Sequence, residues 1–221
     1  MRGLCVDNCY IEIDSKEVPI MDGSAAAFVA AIDEAGIREL AAPRKYIKIV
    51  KPVRVEDGAS WGEIVPHSGF QLDVEIDFES PVIGRQRMRL DLSPGTYRNE
   101  LCRARTFGFM RDVEKLWKAG LALGSSLDNT IAIGDDRVIN AEGLRYPQEF
   151  VRHKILDAVG DLALAGKPLL AAYRSVKGGH RLNSLVVQAL LADTDAWTIA
   201  QAPRVREAKP VDMGFAIAAG E

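Results

Sequence analysis

The sequence is poor in residues that announce chemistry or compartment. It has three cysteines, Cys5, Cys9 and Cys102, too few and too scattered for a disulfide framework or a cysteine-rich zinc site. Cys5 and Cys9 lack zinc-knuckle spacing and have no histidine nearby, so all three read as buried thiols that pack as small hydrophobes. No apolar run approaches the ~20 residues of a bilayer span; the longest is Ala25 to Ile32. Met1-Arg2-Gly3 leads straight into Cys5-Val6-Asp7-Asn8, with no charged n-region and apolar stretch before a cleavage site. These absences point to the cytoplasm and to no integral membrane contact. Charge is nearly balanced, 28 Lys and Arg against 31 Asp and Glu for a net −3, and no basic run offers nucleic acid a footprint. Internal repeats and low-complexity segments are lacking too. What remains is 48% hydrophobic and 27% charged residues in 221, the balance of a chain that buries a core.

Periodicity then sketches the elements. Cys9, Ile11 and Ile13 alternate with Tyr10, Glu12 and Asp14, which predicts a strand. After Pro19-Ile20-Met21-Asp22-Gly23, Ser24 is placed to cap a helix to Ala35 with Phe28, Ala31, Ile32 and Ala35 on one face and Gly36 closing it. Beyond Ala41-Ala42-Pro43, Ile47 with Ile49 and Val53 with Val55 read as strand pieces. Phe70, Leu72, Val74, Ile76 and Phe78 alternate with polar residues, and Met88, Leu90 and Leu92 repeat the pattern past a Pro81–Gly84 turn, predicting an antiparallel meander with one wet face. Helices are expected over Thr96 to Arg103, Met110 to Ala119, Gln148 to Ala165 and His180 to Ala192, with a hairpin around Gly134-Asp135-Asp136 and a strand near Leu169 to Tyr173. Strands first and helices after define an α+β chain.

With three histidines, each can be weighed. His67, in Pro66-His67-Ser68-Gly69, reads as a turn residue. His153, Asp157 and Asp161 fall at i, i+4 and i+8 and drift only about 40° per step, so they line one helix face opposite Val151, Ile155, Val159 and Leu162. An imidazole and a carboxylate one turn apart can chelate one divalent ion; a solvated face with an ordinary His–Asp pair explains the same spacing and is favoured on spacing alone. His180 follows Gly178-Gly179 at a helix start, where it caps, packs or acts. Arg105-Thr106-Phe107-Gly108-Phe109 offers a hydroxyl beside two aromatics, or simply a packed turn.

Three runs carry a resemblance. Val18-Pro19-Ile20-Met21-Asp22-Gly23-Ser24-Ala25, Ala104 to Asp112, and Phe150-Val151-Arg152-His153-Lys154-Ile155-Leu156-Asp157, followed by Gly160-Asp161-Leu162 and Gly179-His180, resemble the UDP-3-O-acyl-N-acetylglucosamine deacetylase family of lipid A biosynthesis. The resemblance implies a two-domain sheet-and-helix sandwich acting as a monomer, with Zn²⁺ as cofactor and UDP-3-O-acyl-N-acetylglucosamine as small-molecule substrate. It implies that His153 and Asp157 are zinc ligands and that Thr106 hydrogen-bonds the developing oxyanion. Lys154 would hold substrate or product. His180, oriented by Asp161, would stabilise the transition state and protonate the leaving amine. Phe107 and Phe109 would line the cleft, and Met110, Val113, Leu127 and Ala132 an acyl passage in a βαβ insert at about 110–140.

The same resemblance predicts a departure. The family pattern has a Glu-His pair, general base and third zinc ligand, ahead of the segment that begins near Val6. Residues 1–42 are therefore expected to be the remnant of a mostly missing first domain, with 43–208 a second domain and 209–221 a tail. The expectation is little or no activity for this chain alone; the competing account is a short non-catalytic paralogue that binds a UDP-sugar or acyl ligand. Val65 stands where relatives often carry a lysine, which leaves the phosphate contact to Lys154 or another base.

Overall fold

In the computed structural model, residues 1–112, 124 and 126–202 are described. A short 3-10 turn, Arg2–Leu4, precedes helix α1, Ala26–Ala35. Five strands follow: β1 Lys45–Ile49, β2 Val53–Asp57, β3 Ser60–Pro66, β4 Phe70–Asp77 and β5 Arg85–Asp91. One α-turn, Pro94–Thr96, capped by the Ser93 side chain, continues as a π-helix, Tyr97–Leu101. Strands β6 Phe107–Phe109 and β7 Ile131–Ile133 pair in parallel. Helix α2, Glu149–Leu162, strand β8 Leu169–Val176, helix α3, His180–Ala192, and strand β9 Trp197–Gln201 complete the order. The α+β class is as expected.

Strand β8 is the hub of the large sheet. It pairs antiparallel with β3 (Ile64 opposite Tyr173), parallel with β4 (Leu72 opposite Tyr173) and parallel with the end of β1 (Ile47 opposite Leu169). Strands β2, β5 and β9 extend this arrangement antiparallel from β3, β4 and β1. Helices α2 and α3 lie side by side on one face, α2 over β4 and β5 and α3 over β2 and β3. Between the layers sit Ile64, Leu72, Val74, Ile76, Val151, Ile155, Val159, Leu162, Tyr173, Val186 and Leu190, all buried. The four apolar residues of α2 forecast from its spacing are thus all in the core.

Several expectations are corrected. The strand over Cys9 to Ile13 is absent: the segment is irregular, and Tyr10, Ile11 and Ile13 are exposed. A strand is stable only with a neighbour to take its backbone hydrogen bonds, and among the described residues none pairs with it. Cys5 and Cys9 are exposed, leaving Cys102 as the buried thiol. The predicted apolar face of α1 is rotated, since Val29 is buried and Phe28 exposed. Ser24 is not its cap: Ala25 holds that position with no side-chain cap bond, and Ser24 Oγ accepts from the Ala26 amide at 3.2 Å from one residue earlier, while Gly36 closes the helix at φ 77° as read. The helix expected over Thr96 to Arg103 starts earlier and ends as the π-turn. The second arm of the Gly134 hairpin is a single bridge, Ile133 to Val138. Strands β3 and β9 were not foreseen. The helix expected over Met110 to Ala119 falls largely outside the described residues. No helix among the described residues is long and apolar enough to cross a membrane.

The meander is corrected as well. Strand β4 pairs antiparallel with β5 as read but also parallel with β8 on its other side, and the centre of its polar face, between Gln71 and exposed Asp77, is not wet. Asp73 and Glu75 are buried beneath arginines of β5. Arg87 chelates Asp73 at 2.8 Å, Arg89 reaches it at 2.6 Å, and Arg85 bonds Glu75 at 2.7 Å. The Arg87 hydrogen bonds, reinforced by Arg89, outweigh desolvation and hold the Asp73 carboxyl down at about 2. A carboxylate with a depressed folded-state pKa adds stability above its unfolded value of about 4, and this is lost as pH falls through the folded value. Asp73→Asn is expected to cost about 2 kcal/mol at pH 7 and to flatten the decline of the urea midpoint between about pH 4 and 2. Parallel acid limbs for wild type and variant would show that Asp73 is not the group responsible.

Candidate metal centre

Helix α2 presents the polar triad as its spacing requires. His153 Nε2 and Asp157 Oδ1 are 3.3 Å apart, and both side chains are nearly buried. The other ring nitrogen of His153, Nδ1, lies 3.1 Å from the Ala104 carbonyl oxygen. A carbonyl only accepts, so Nδ1 carries a proton, and in the neutral ring Nε2 is a bare lone pair. Burial pushes the His153 pKa below its usual value, with Asp157 opposing, which disfavours a second proton on the ring. Two acceptors therefore face each other, an arrangement that calls for a cation between them. A backbone carbonyl holding the distal nitrogen is also how metal-binding histidines are oriented. The residues present fit a divalent metal as two of its donors; among the described residues no group of three or more His, Cys, Asp and Glu side chains is placed to hold a metal ion.

The other predicted residues gather round this pair. Lys154 Nζ reaches Asp157 Oδ2 at 3.1 Å and lies 5.5 Å from the centre of the Phe107 ring. Phe107 sets its edge against Phe150 at 5.0 Å and His153 at 6.2 Å. His180, the first residue of α3, brings Nε2 within 3.9 Å of Asp157 and Nδ1 within 2.9 Å of Asp161. Thr106 and His153 line one open groove of about 400 Å³ with Ile20, Phe28 and Leu156. The groove exists because the turn before α1 folds onto β6: the Thr106 amide donates to the Gly23 carbonyl at 2.7 Å. Gly23 has φ 78°, and a Cβ there would meet the Asn129 carbonyl oxygen at 2.0 Å, so only glycine fits.

The remaining residues lie farther out. Phe109 packs on Phe78 at 6.1 Å with Arg111 above its ring. Met110 and Leu127 are exposed, and Ala132 is buried in β7. Buried Asn140 ties this region together, donating to the Leu127 and Thr130 carbonyls and accepting from the Ala132 amide. Val113 lies outside the described residues. His67 is a turn residue as read, its Nδ1 accepting from the Gly69 amide at 3.1 Å.

Two groups escaped the sequence. Glu149, fully buried in the first turn of α2, takes 3.0 Å bonds from both the amide and Nε of Arg105 and a 2.5 Å bond from the Arg145 amide. An acid in a first helical turn is ordinary, so nothing marked it as buried. Asn183 donates to Asp161 at 2.8 Å and accepts from Tyr173 at 2.6 Å; both looked like routine helix and strand residues.

The family model LpxC, UDP-3-O-acyl N-acetylglycosamine deacetylase, matches residues 1–192. The chain belongs to that family. Among LpxC relatives, proteins named UDP-3-O-acyl-N-acetylglucosamine deacetylase from Brucella ovis and Brucella melitensis are each 56% identical over 203 residues, covering 91% of this chain and 71% of theirs. The LpxC match spans the groove, α2 and α3, so the His153–Asp157–His180 cluster lies wholly within the region that defines the family.

Proposed function

We propose that this protein removes the N-acetyl group from UDP-3-O-acyl-N-acetylglucosamine, releasing acetate and the free glucosamine amine for lipid A biosynthesis. The observation that carries the proposal is the facing pair of acceptors, His153 Nε2 and Asp157 Oδ1, with His180 and Lys154 converging on the same carboxylate. His153 and Asp157 would hold Zn²⁺, which when bound supplies Lewis acidity and an acidified water.

Other groups of the chain suit three further roles; among the described residues none is assigned as the base that takes the water's proton. Lys154, tethered to Asp157, offers a positive charge to substrate or product. Thr106, on the wall of the groove, donates its hydroxyl to the carbonyl oxygen as charge develops there. His180 has Nδ1 engaged by Asp161, so Nε2 is the atom that carries a proton to the departing nitrogen. The apolar wall of Ile20, Phe28 and Leu156 keeps water from the acetamide. The parallel β6–β7 pair supports a βαβ insert at about 110–140 as the seat of the acyl chain, with Met110, Val113, Leu127 and Ala132 as its contacts and Phe107 and Phe109 lining the cleft.

The test is acetate release from UDP-3-O-acyl-N-acetylglucosamine by a chain that carries the Glu-His pair of the family pattern ahead of Val6, after chelator treatment and zinc add-back. Release should fall below about a hundredth on metal removal and return with zinc, and Lys154→Ala should weaken KM more than kcat. Release indifferent to chelator would overturn the proposal.

A further inference from the structure

The His180 ring is 69% exposed, so packing does not hold it. Its strongest contact is the 2.9 Å approach of Nδ1 to Asp161 Oδ2, and its orientation is no firmer than that carboxylate's. The same oxygen, Oδ2, accepts a 2.8 Å bond from Asn183 Nδ2. A carboxylate only accepts, so the amide must turn its NH₂ towards Asp161 and its oxygen away. That oxygen meets the Tyr173 hydroxyl at 2.6 Å, which makes the phenol the donor. Tyr173 and Asn183 are both buried, one on β8 and the other a turn beyond His180 on α3. Burial raises the phenol above its ordinary pKa, so it stays a donor. Gly62 makes the space: a Cβ there would come within 3.2 Å of the Tyr173 hydroxyl.

We infer that Tyr173 and Asn183 are positioning residues for His180, a one-way chain of hydrogen bonds that starts in the sheet and fixes the Asp161 rotamer. Each link has one allowed polarity, so disturbing the far end loosens the near end. The chain reaches no substrate atom itself. Its use in catalysis rests on the proposed deacetylation, in which His180 Nε2 faces the amide.

The experiment is ¹⁵N NMR of the His180 ring at one fixed pH, which needs neither substrate nor turnover, in wild type, Tyr173→Phe, Asn183→Ala and Ile155→Val. Tyr173→Phe removes only the hydroxyl. Solvent exchange of the Nδ1 proton should accelerate about five- to tenfold in Tyr173→Phe and further in Asn183→Ala, as loss of one or two hydrogen bonds predicts. Ile155→Val perturbs the core of α2 without touching the chain and should leave the ring signals unchanged. In the deacetylation assay, Tyr173→Phe should lower kcat with KM little altered. Unchanged His180 signals in folded Tyr173→Phe, or equal changes in Ile155→Val, would overturn the inference and leave the deacetylase reading intact. Loosened His180 signals together with deacetylation indifferent to His180→Ala would support the chain of bonds and overturn the deacetylase reading.

Discussion

Zinc affinity should fall by about a hundredfold or more when His153 is replaced by alanine. Four-ligand structural zinc sites yield roughly 10–16 kcal/mol, so one ligand is worth about 3 kcal/mol, or about a hundredfold. The loss should be at the upper end here, because the imidazole arrives already arranged. Its Nδ1 proton is committed to Ala104, its charged form is disfavoured by burial, and Phe107 and Phe150 brace the ring and its helix. Asp157 alone would keep Lys154 as its partner at 3.1 Å, and a bound cation would have to compete with that ammonium. Competition against a chromogenic chelator measures the change directly, and Asp157→Ala should match it. Wild-type affinity retained by both variants would remove the metal from α2 and, with it, the basis of the proposed chemistry.

The largest stability effect is expected at the buried ion pair behind the site. Arg105 and Glu149 are 2% and 0% exposed, and the guanidinium also reaches Glu142 at 2.7 Å and the Gly143 carbonyl at 2.7 Å. Arg105→Met strands the Glu149 carboxylate in the interior, and breaking one side of such a pair costs about 3–5 kcal/mol. For a chain of this size that corresponds to a fall in Tm of about 10 °C. Glu149→Leu should cost as much or more, since the Arg105 and Arg145 amides lose their acceptor along with the guanidinium. The double variant should be well below additive, because neither partner is then left charged and alone. Urea unfolding of the four proteins closes the cycle; additive losses would mean the two residues act independently. The pair also has a local consequence. It joins the residue before Thr106 to the turn of α2 before His153, so milder variants such as Arg105→Lys should loosen the groove before they unfold the chain.

The chain shows where a one-dimensional reading reaches. The i, i+4, i+8 spacing of His153, Asp157 and Asp161 placed three polar groups on one helix face, and the apolar residues opposite them are in the core, because helical period is a local property. The same holds for the alternation of β4 and for Gly36. Spacing alone could not say whether the face met solvent or a partner. That turned on Ala104 and His180, which lie 49 and 19 positions from the groups they meet. The resemblance of the three sequence runs to LpxC proteins carried what periodicity could not, and the family match bears it out.

Locally encoded features were therefore legible from the sequence: the helices with their stops, the strand alternation, and the sharing of one helix face by His153, Asp157 and Asp161. The tertiary structure alone decided that β8 is the hub, that Asp73 and Glu149 are buried beneath arginines, that Tyr10 to Ile13 is not a strand, and that Asn183 faces Asp161. Each of these depends on what a residue meets across the fold. A side chain's solvation and a strand's pairing are set by neighbours distant in sequence, and no local pattern records them.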